Sequence, residues 1–169
     1  RPMEQFLDEF LSWAWARHHN PLSWYVRPLF LLPFCYFAYK RSIWGIVLTL
    51  FALVTSMFWF PEPDRPDPRA AEFLAMEKEY LADDWTLTKV LLGLLVPVSL
   101  GALALAFWRR SLLYGLVVID SIMLAKVTWS FYYGGESGLA LLPPALVGLI
   151  ACNAVVLYVA YRVRGKVTL

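Results

Sequence analysis

The sequence has little of what chemistry in water usually draws on. It holds two cysteines, Cys35 and Cys152, both inside apolar runs and without a C-x-x-C pair, so thiol–disulfide chemistry lacks its motif and both thiols read as small buried hydrophobes. Its two histidines, His18 and His19, stand side by side. No P-loop, G-x-G-x-x-G, H-E-x-x-H or G-x-S-x-G run occurs, nor any set of His pairs that would hold haem, so no cofactor is expected. Charged residues make up only 17% of the chain, and no nucleic-acid partner is expected.

What is abundant is apolar surface. Hydrophobic residues form 60% and aromatics 17% of 169 residues, a chain too short to hide that much surface in a water-soluble core. The expected solvent is therefore lipid. Arg1-Pro2 precede Met3, which reads as the natural start, and the stretch after it lacks the basic start, apolar core and small-residue cleavage site of a secretory signal.

A spanning helix needs about 20 mostly apolar residues. Five segments approach or exceed that: 22–39, 42–60, 86–108, 111–133 and 139–161. They predict an all-α, polytopic membrane helix bundle, a single integral membrane domain over 1–169. The first segment is the weakest, because it is short, holds Arg27 and is interrupted by Pro28 and Pro33, which predict a kinked or re-entrant piece. The linkers are short, apart from a loop over 61–85, and short linkers force antiparallel neighbours.

Five crossings divide the charges unequally. One side holds Lys40, Arg41, Arg109, Arg110, Arg162, Arg164 and Lys166, seven bases and no acid. The other holds twelve acids against Arg1, Arg17, Arg65, Arg69 and Lys78. The positive-inside rule then predicts a cytoplasmic C-terminus, with the N-terminus and the 61–85 loop outside.

Two further helices are expected outside the lipid core. Met3, Phe6, Leu7, Phe10, Leu11 and Ala14 share one face over 3–19 and Glu4, Gln5, Asp8, Glu9 and Ser12 the other, which predicts a helix lying in the outer interface, ended by Asn20-Pro21. Within the large loop, Asp67 reads as an N-cap with Pro68 at the first helical position, starting a helix to about Ala82. Its Phe73, Met76 and Tyr80 share a face for the membrane, the bundle or another protein.

The charges inside the apolar runs are the candidates for function. Asp120 lies nine residues from Ser111, about 13–14 Å deep and close to the midplane of a 30 Å core. Asn153, nine residues from Arg162, and Ser99, ten from Arg109, fall at the same level on other spans. They predict a midplane polar layer of Asp120, Asn153 and Ser99, with Ser121 and Thr128 extending the Asp120 face. Such a layer is either interhelical glue or a site where an acid takes up a proton or cation during transport. Lys126 is six residues beyond Asp120, out of i,i+4 reach, and seven from Tyr133. With Arg27 and Lys89 it gives three bases at the outer level, which converge on an anion or lipid phosphate or else snorkel toward the interface and the loop acids.

The remaining signals are weaker. His18 and His19 invite a metal site, but adjacent helical residues point about 100° apart and cannot grip one ion together, so interfacial histidines are the plainer reading. Glu62, Asp64 and Asp67 are separated by prolines and an arginine that argue against a calcium cage. Small-residue stripes, Ser99/Ala102/Ala106 and Ala145/Gly148/Cys152, permit close helix packing, and Pro97 and Pro143-Pro144 predict kinks. The first expectation is a transporter or channel subunit for a small ion or solute, acting as a homo-oligomer in the bilayer. The second is an accessory or assembly subunit among partner membrane proteins. The third, a lipid-headgroup enzyme using His18, His19 or the loop acids, lacks a nucleophile–base pair.

Overall fold

The computed structural model describes residues 1–164; Lys166, counted above among the bases of one side, lies outside them. Among the described residues eight α-helices follow in order: α1 Pro2–Arg17, α2 Pro21–Leu29, α3 Leu31–Tyr39, α4 Ile43–Thr55, α5 Pro68–Ala82, α6 Leu87–Trp108, α7 Leu112–Gly134 and α8 Leu142–Arg164. Short 3-10 turns, Ser56–Phe58 and Gly135–Leu141, extend α4 and join α7 to α8. No strand occurs among the described residues.

Among the described residues two helical stretches are long and apolar enough to cross a membrane, Leu87–Trp108 and Leu112–Arg164, the second being α7 and α8 with their 3-10 turn. The other two expected spans are not continuous helices of that length. Segment 22–39 is broken at Phe30 into two helices of nine residues each. Segment 42–60 reaches only Phe58, as a shorter apolar helix of about 24 Å. It tightens into 3-10 geometry where Thr55 and Ser56 turn their hydroxyls back onto the Phe51, Ala52 and Leu53 carbonyls. Pro143-Pro144 do not kink a span. They sit in the first turn of α8, where a missing N–H costs nothing.

The starts of the helices follow from their caps. Asn20 accepts from Leu22 N–H and precedes Pro21, and Asp67 accepts from Arg69 and Ala70 N–H and precedes Pro68. The two basic turns are built alike. Arg41 and Arg110 adopt left-handed φ of 57° and 59°. Ser42 N–H donates to Phe37 O and Ser111 N–H to Ala106 O, closing α3 and α6 in Schellman fashion. A Cβ on Gly45 would fall 2.2 Å from the Phe37 ring, and one on Gly115 2.3 Å from Phe107, so each glycine lets the ring of one helix lie across the next. Arg41 Nε donates to Trp108 O at 3.1 Å, and Arg110 lies over Tyr39, so the two turns stand side by side at one end.

Helix α3 is the middle of the bundle. It packs on α4, α6 and α8, while α6 packs on α7, α7 on α8, and α2 on α8. Leu31, Phe34, Cys35 and Ala38 meet Leu103 and Phe107, Ile119 and Met123, Cys152 and Val156 in the main core. A second core sits at the end opposite the basic turns, where Phe73, Leu74 and Ala70 of α5 close on Trp24, with Trp15, Met76 and Trp129 at its edge. The loop helix therefore rests on the bundle. Its anchor is Phe73, 1% exposed and in edge-to-face contact with both Trp24 and Trp129.

Large apolar side chains remain exposed along α4, α6, α7 and α8, and their kinds are sorted by position. Exposed Tyr and Trp cluster at the two ends: Tyr36, Trp44, Tyr114, Tyr158 and Tyr161 toward the basic turns, Trp13, Trp59, Trp85 and Tyr132 toward α5. Between them the exposed large hydrophobics are Leu, Val, Ile and Phe, interrupted on α7 by the exposed Ser121, Lys126 and Thr128. On α1, Met3, Phe6, Leu7, Phe10 and Leu11 are also exposed, and only Ala14 is buried.

Replacing Phe73 by Ala should cost about 3–5 kcal/mol locally. The expected result is faster proteolysis within Pro68–Ala82 with helical content otherwise kept; unchanged cleavage would show that α5 is not held by this ring.

Candidate functional site

The packing of α7 on α8 brings Asp120 and Asn153 together. α7 and α8 run side by side, and Asn153 Nδ2 donates to Asp120 Oδ1 at 2.7 Å and to Leu149 O, one turn back on its own helix, at 2.8 Å. Both amide protons are thus used, which fixes the orientation of the group. Asp120 and Asn153 are half-buried beside the core residues Ile119 and Cys152. Among the described residues, Asn153 supplies the only hydrogen bond to the carboxylate.

Ser99 does not join them. Its hydroxyl donates to Val96 O on its own helix at 3.0 Å, the local solution open to any serine in an apolar helix. Ser121 likewise turns back to Val117 O, and Thr128 is exposed. The expected layer therefore reduces to one acid–amide pair. The stripe it was to share on α6 also faces outward in part: Ala102 is exposed, while Leu103 and Phe107 enter the core. On α8 the stripe is buried as expected at Ala145, Gly148 and Cys152.

The three bases separate into one and two. Lys89 is 8% exposed; its Nζ donates to Tyr80 O and to Asp83 O at 3.2 Å, and it lies over the Tyr80 and Trp85 rings. It therefore ties the carbonyl-rich C-terminus of α5 to the first turn of α6, where a cation is favoured. Arg27 and Lys126 instead share one electrostatic neighbourhood with each other, with His18 and with Glu77 of α5. Lys126 Nζ stands 5.0 Å from the Trp129 ring centroid.

Glu77 is the residue that the sequence reading missed. It stands four positions after Phe73 and three before Tyr80, hence on the apolar face of α5, and this spacing was the available signal. The sequence counts it only among the twelve acids of the outer side.

The histidines part company. His18 Nδ1 lies 3.2 Å from Ser23 Oγ, and its carbonyl accepts from Trp24 Nε1, whereas His19 Nδ1 lies 2.9 Å from Trp15 O. His19 borders an open cleft of about 260 Å³ with Trp15, Glu62 and Lys78, away from the Arg27 group. Among the described residues no group of three or more His, Cys, Asp or Glu is placed to hold a metal ion. Burial, reinforced by the positive charges of Arg27, His19 and Lys126, pushes the His18 imidazole down from 6.5 to about 4.

Comparison with known protein families, with curated proteins and with solved structures finds no match to this chain.

The lowered His18 value carries a sign. Between pH 6.5 and about 4 the unfolded chain binds a proton on His18 that the folded chain does not, so folding stability rises with pH across that window. It is fully present above 6.5 and declines below, by at most about 3 kcal/mol. Thermal unfolding in detergent should show His18→Gln less acid-sensitive than the parent in that window; parallel curves would mean that His18 titrates normally.

Proposed function

We propose that the protein is a multi-pass integral membrane bundle acting as a transporter or channel subunit for a small ion, with Asp120 and Asn153 as its intramembrane binding pair. The observation that carries this reading is the 2.7 Å bond between them. A carboxylate at mid-depth in lipid needs a counter-charge, a proton or a cation. Its protein partner here is a neutral amide, which orients it without neutralising it.

The membrane setting has separate support. Exposed Trp and Tyr confined to the two ends, with Leu, Val, Ile and Phe as the large exposed hydrophobics between, match the two interfaces and the hydrocarbon of a bilayer. In that setting the broken α2–α3 pair and the α4 helix with its 3-10 extension make the first two of five passes. The adjacent turns Lys40-Arg41 and Arg109-Arg110 belong on the cytoplasmic side, and α5 roofs the bundle outside. The open apolar face of α1 then lies in the outer interface.

In proteoliposomes under an imposed proton or sodium gradient, the parent should conduct one of these ions. Asp120→Asn should abolish that flux while changing unfolding stability by only about 1–2 kcal/mol. Undiminished flux in the variant would remove the proposal.

A second reading, an accessory subunit in a larger membrane assembly, is favoured by the outward face of α6. Gly101 and Ala102 are exposed there, and a Cβ on Gly101 would meet nothing within 4 Å, a surface suited to close approach of another helix. Because Cys35 and Cys152 are buried, Ala102→Cys adds a single accessible thiol among the described residues. Oxidative cross-linking in native membranes to a band of twice the chain's mass favours a homo-oligomer; cross-links to larger foreign chains favour the accessory role; the monomer alone counts against both uses of this face.

A further inference from the structure

We propose that Arg27 and Lys126 form an anion site beneath α5 that recognises a phosphate or phosphodiester group, with Glu77 as the chain's own competing carboxylate. The site does not depend on Asp120, which lies about 9 Å from Lys126 along the α7 axis, and it stands whether or not Asp120 carries an ion.

Three helical spacings build it. Arg27 follows Trp24 by three residues on α2, Lys126 precedes Trp129 by three on α7, and Glu77 follows Phe73 by four on α5. The rings of Trp24, Phe73 and Trp129 are in mutual contact through Phe73, at 5.9 and 6.3 Å between centroids. Each charged residue is thus carried on the same helical face as a ring of that cluster. Because α2 and α7 run in opposite senses, the offsets +3 and −3 set both bases on the same side of the rings, toward the middle of the bundle. The result is a layer of aromatic rings with two cations beneath it, drawn from helices far apart in sequence.

The charges there do not close on themselves. Glu77 acts electrostatically on both bases, yet no ion pair within 4.0 Å joins it to either. One planar carboxylate set between two cations leaves a net positive charge and unused donors on the guanidinium and the ammonium. A tetrahedral phosphate has enough oxygens to take a forked pair of bonds from Arg27 and a third from Lys126 at once. Access is lateral. Lys126 is exposed and Arg27 half-buried, so the group opens on the flank of the bundle, where either a lipid headgroup or free phosphate can enter beside the Trp129 ring.

The test uses the full chain in a phosphate-free maltoside detergent, titrated separately with inorganic phosphate and with phosphatidylglycerol. Thermal unfolding reports binding to the folded state. The parent should be stabilised by at least one of the two: by phosphatidylglycerol alone if the source is a lipid headgroup, by inorganic phosphate if it is a free anion. Arg27→Gln and Lys126→Gln should each weaken the apparent affinity about tenfold or more. Glu77→Gln should strengthen it, since the competitor is gone. Lys78→Gln, the same charge change on an exposed position of α5, should leave it unaltered. If Arg27→Gln does not fold, the exposed Lys126 and the Glu77 variant decide the matter. No stabilisation of the parent by either source overturns the site, as does an equal response of the Lys126 and Lys78 variants.

Discussion

The break at Phe30 is the constraint on which the rest of the arrangement depends. Pro28 and Pro33 each lack an N–H and crowd the carbonyl four residues back, so Trp24 O and Leu29 O lose their helical donors and the chain cannot run straight from 21 to 39. The two halves then go to different neighbours. α2 lies on α8, where Pro28 sits against Gly148, a Cβ there falling 2.5 Å from the Pro28 Cβ, and Cys152 Sγ stands 3.9 Å from Pro28 O. α3 is wedged between α4 and α6 and supplies four of the buried core side chains. An unbroken helix could satisfy one set of neighbours. It could not also present Trp24 and Arg27 to the underside of α5.

The bundle holds the charged residues of its apolar helices by two different means. Asp120 is met by a side-chain amide on a neighbouring helix, which costs no second desolvated ion and leaves its charge uncancelled. Lys89 is met by carbonyl dipoles and ring faces at the end of α5, which hold an ammonium without any carboxylate. Arg27 and Lys126 have neither arrangement in full. They lie near an acid and near rings, but their field is not closed, and that difference sets them apart from the other charged residues of the bundle.

Much of this was legible because it depends on local chemistry. Asp67-Pro68 specifies a helix start in any context, and α5 begins there. The paired prolines specify a break, and one occurs between them. Counting residues inward from basic turns fixed the level of Asp120 and Asn153, since rise per residue is constant; it could not fix rotation, so Ser99 shared their level without reaching them. Lys89 shows a related limit: of its two open readings, reach toward the outer loop is nearer to what the structure holds, but its partners are backbone carbonyls of a turn, which composition cannot reveal. Segment 42–60 looked long enough because hydropathy does not register Thr and Ser hydroxyls bending a chain out of α geometry.

What links these features is the way α5 is fixed at three points. Asp67 caps its start, Phe73 pins its centre to Trp24 and Trp129, and Lys89 ties down its last carbonyls from the first turn of α6. Glu77 lies between the second and third of these, so its charge is presented to Arg27 and Lys126 by a rigid element rather than by a loose loop side chain. The ring cluster and the charge cluster cannot then be separated. Any movement that lifts α5 exposes Phe73 and withdraws Glu77 in the same step, raising the positive potential at Arg27 and Lys126 just as their aromatic cover opens. At the proposed anion site, a phosphate arriving there would replace the charge that α5 removes.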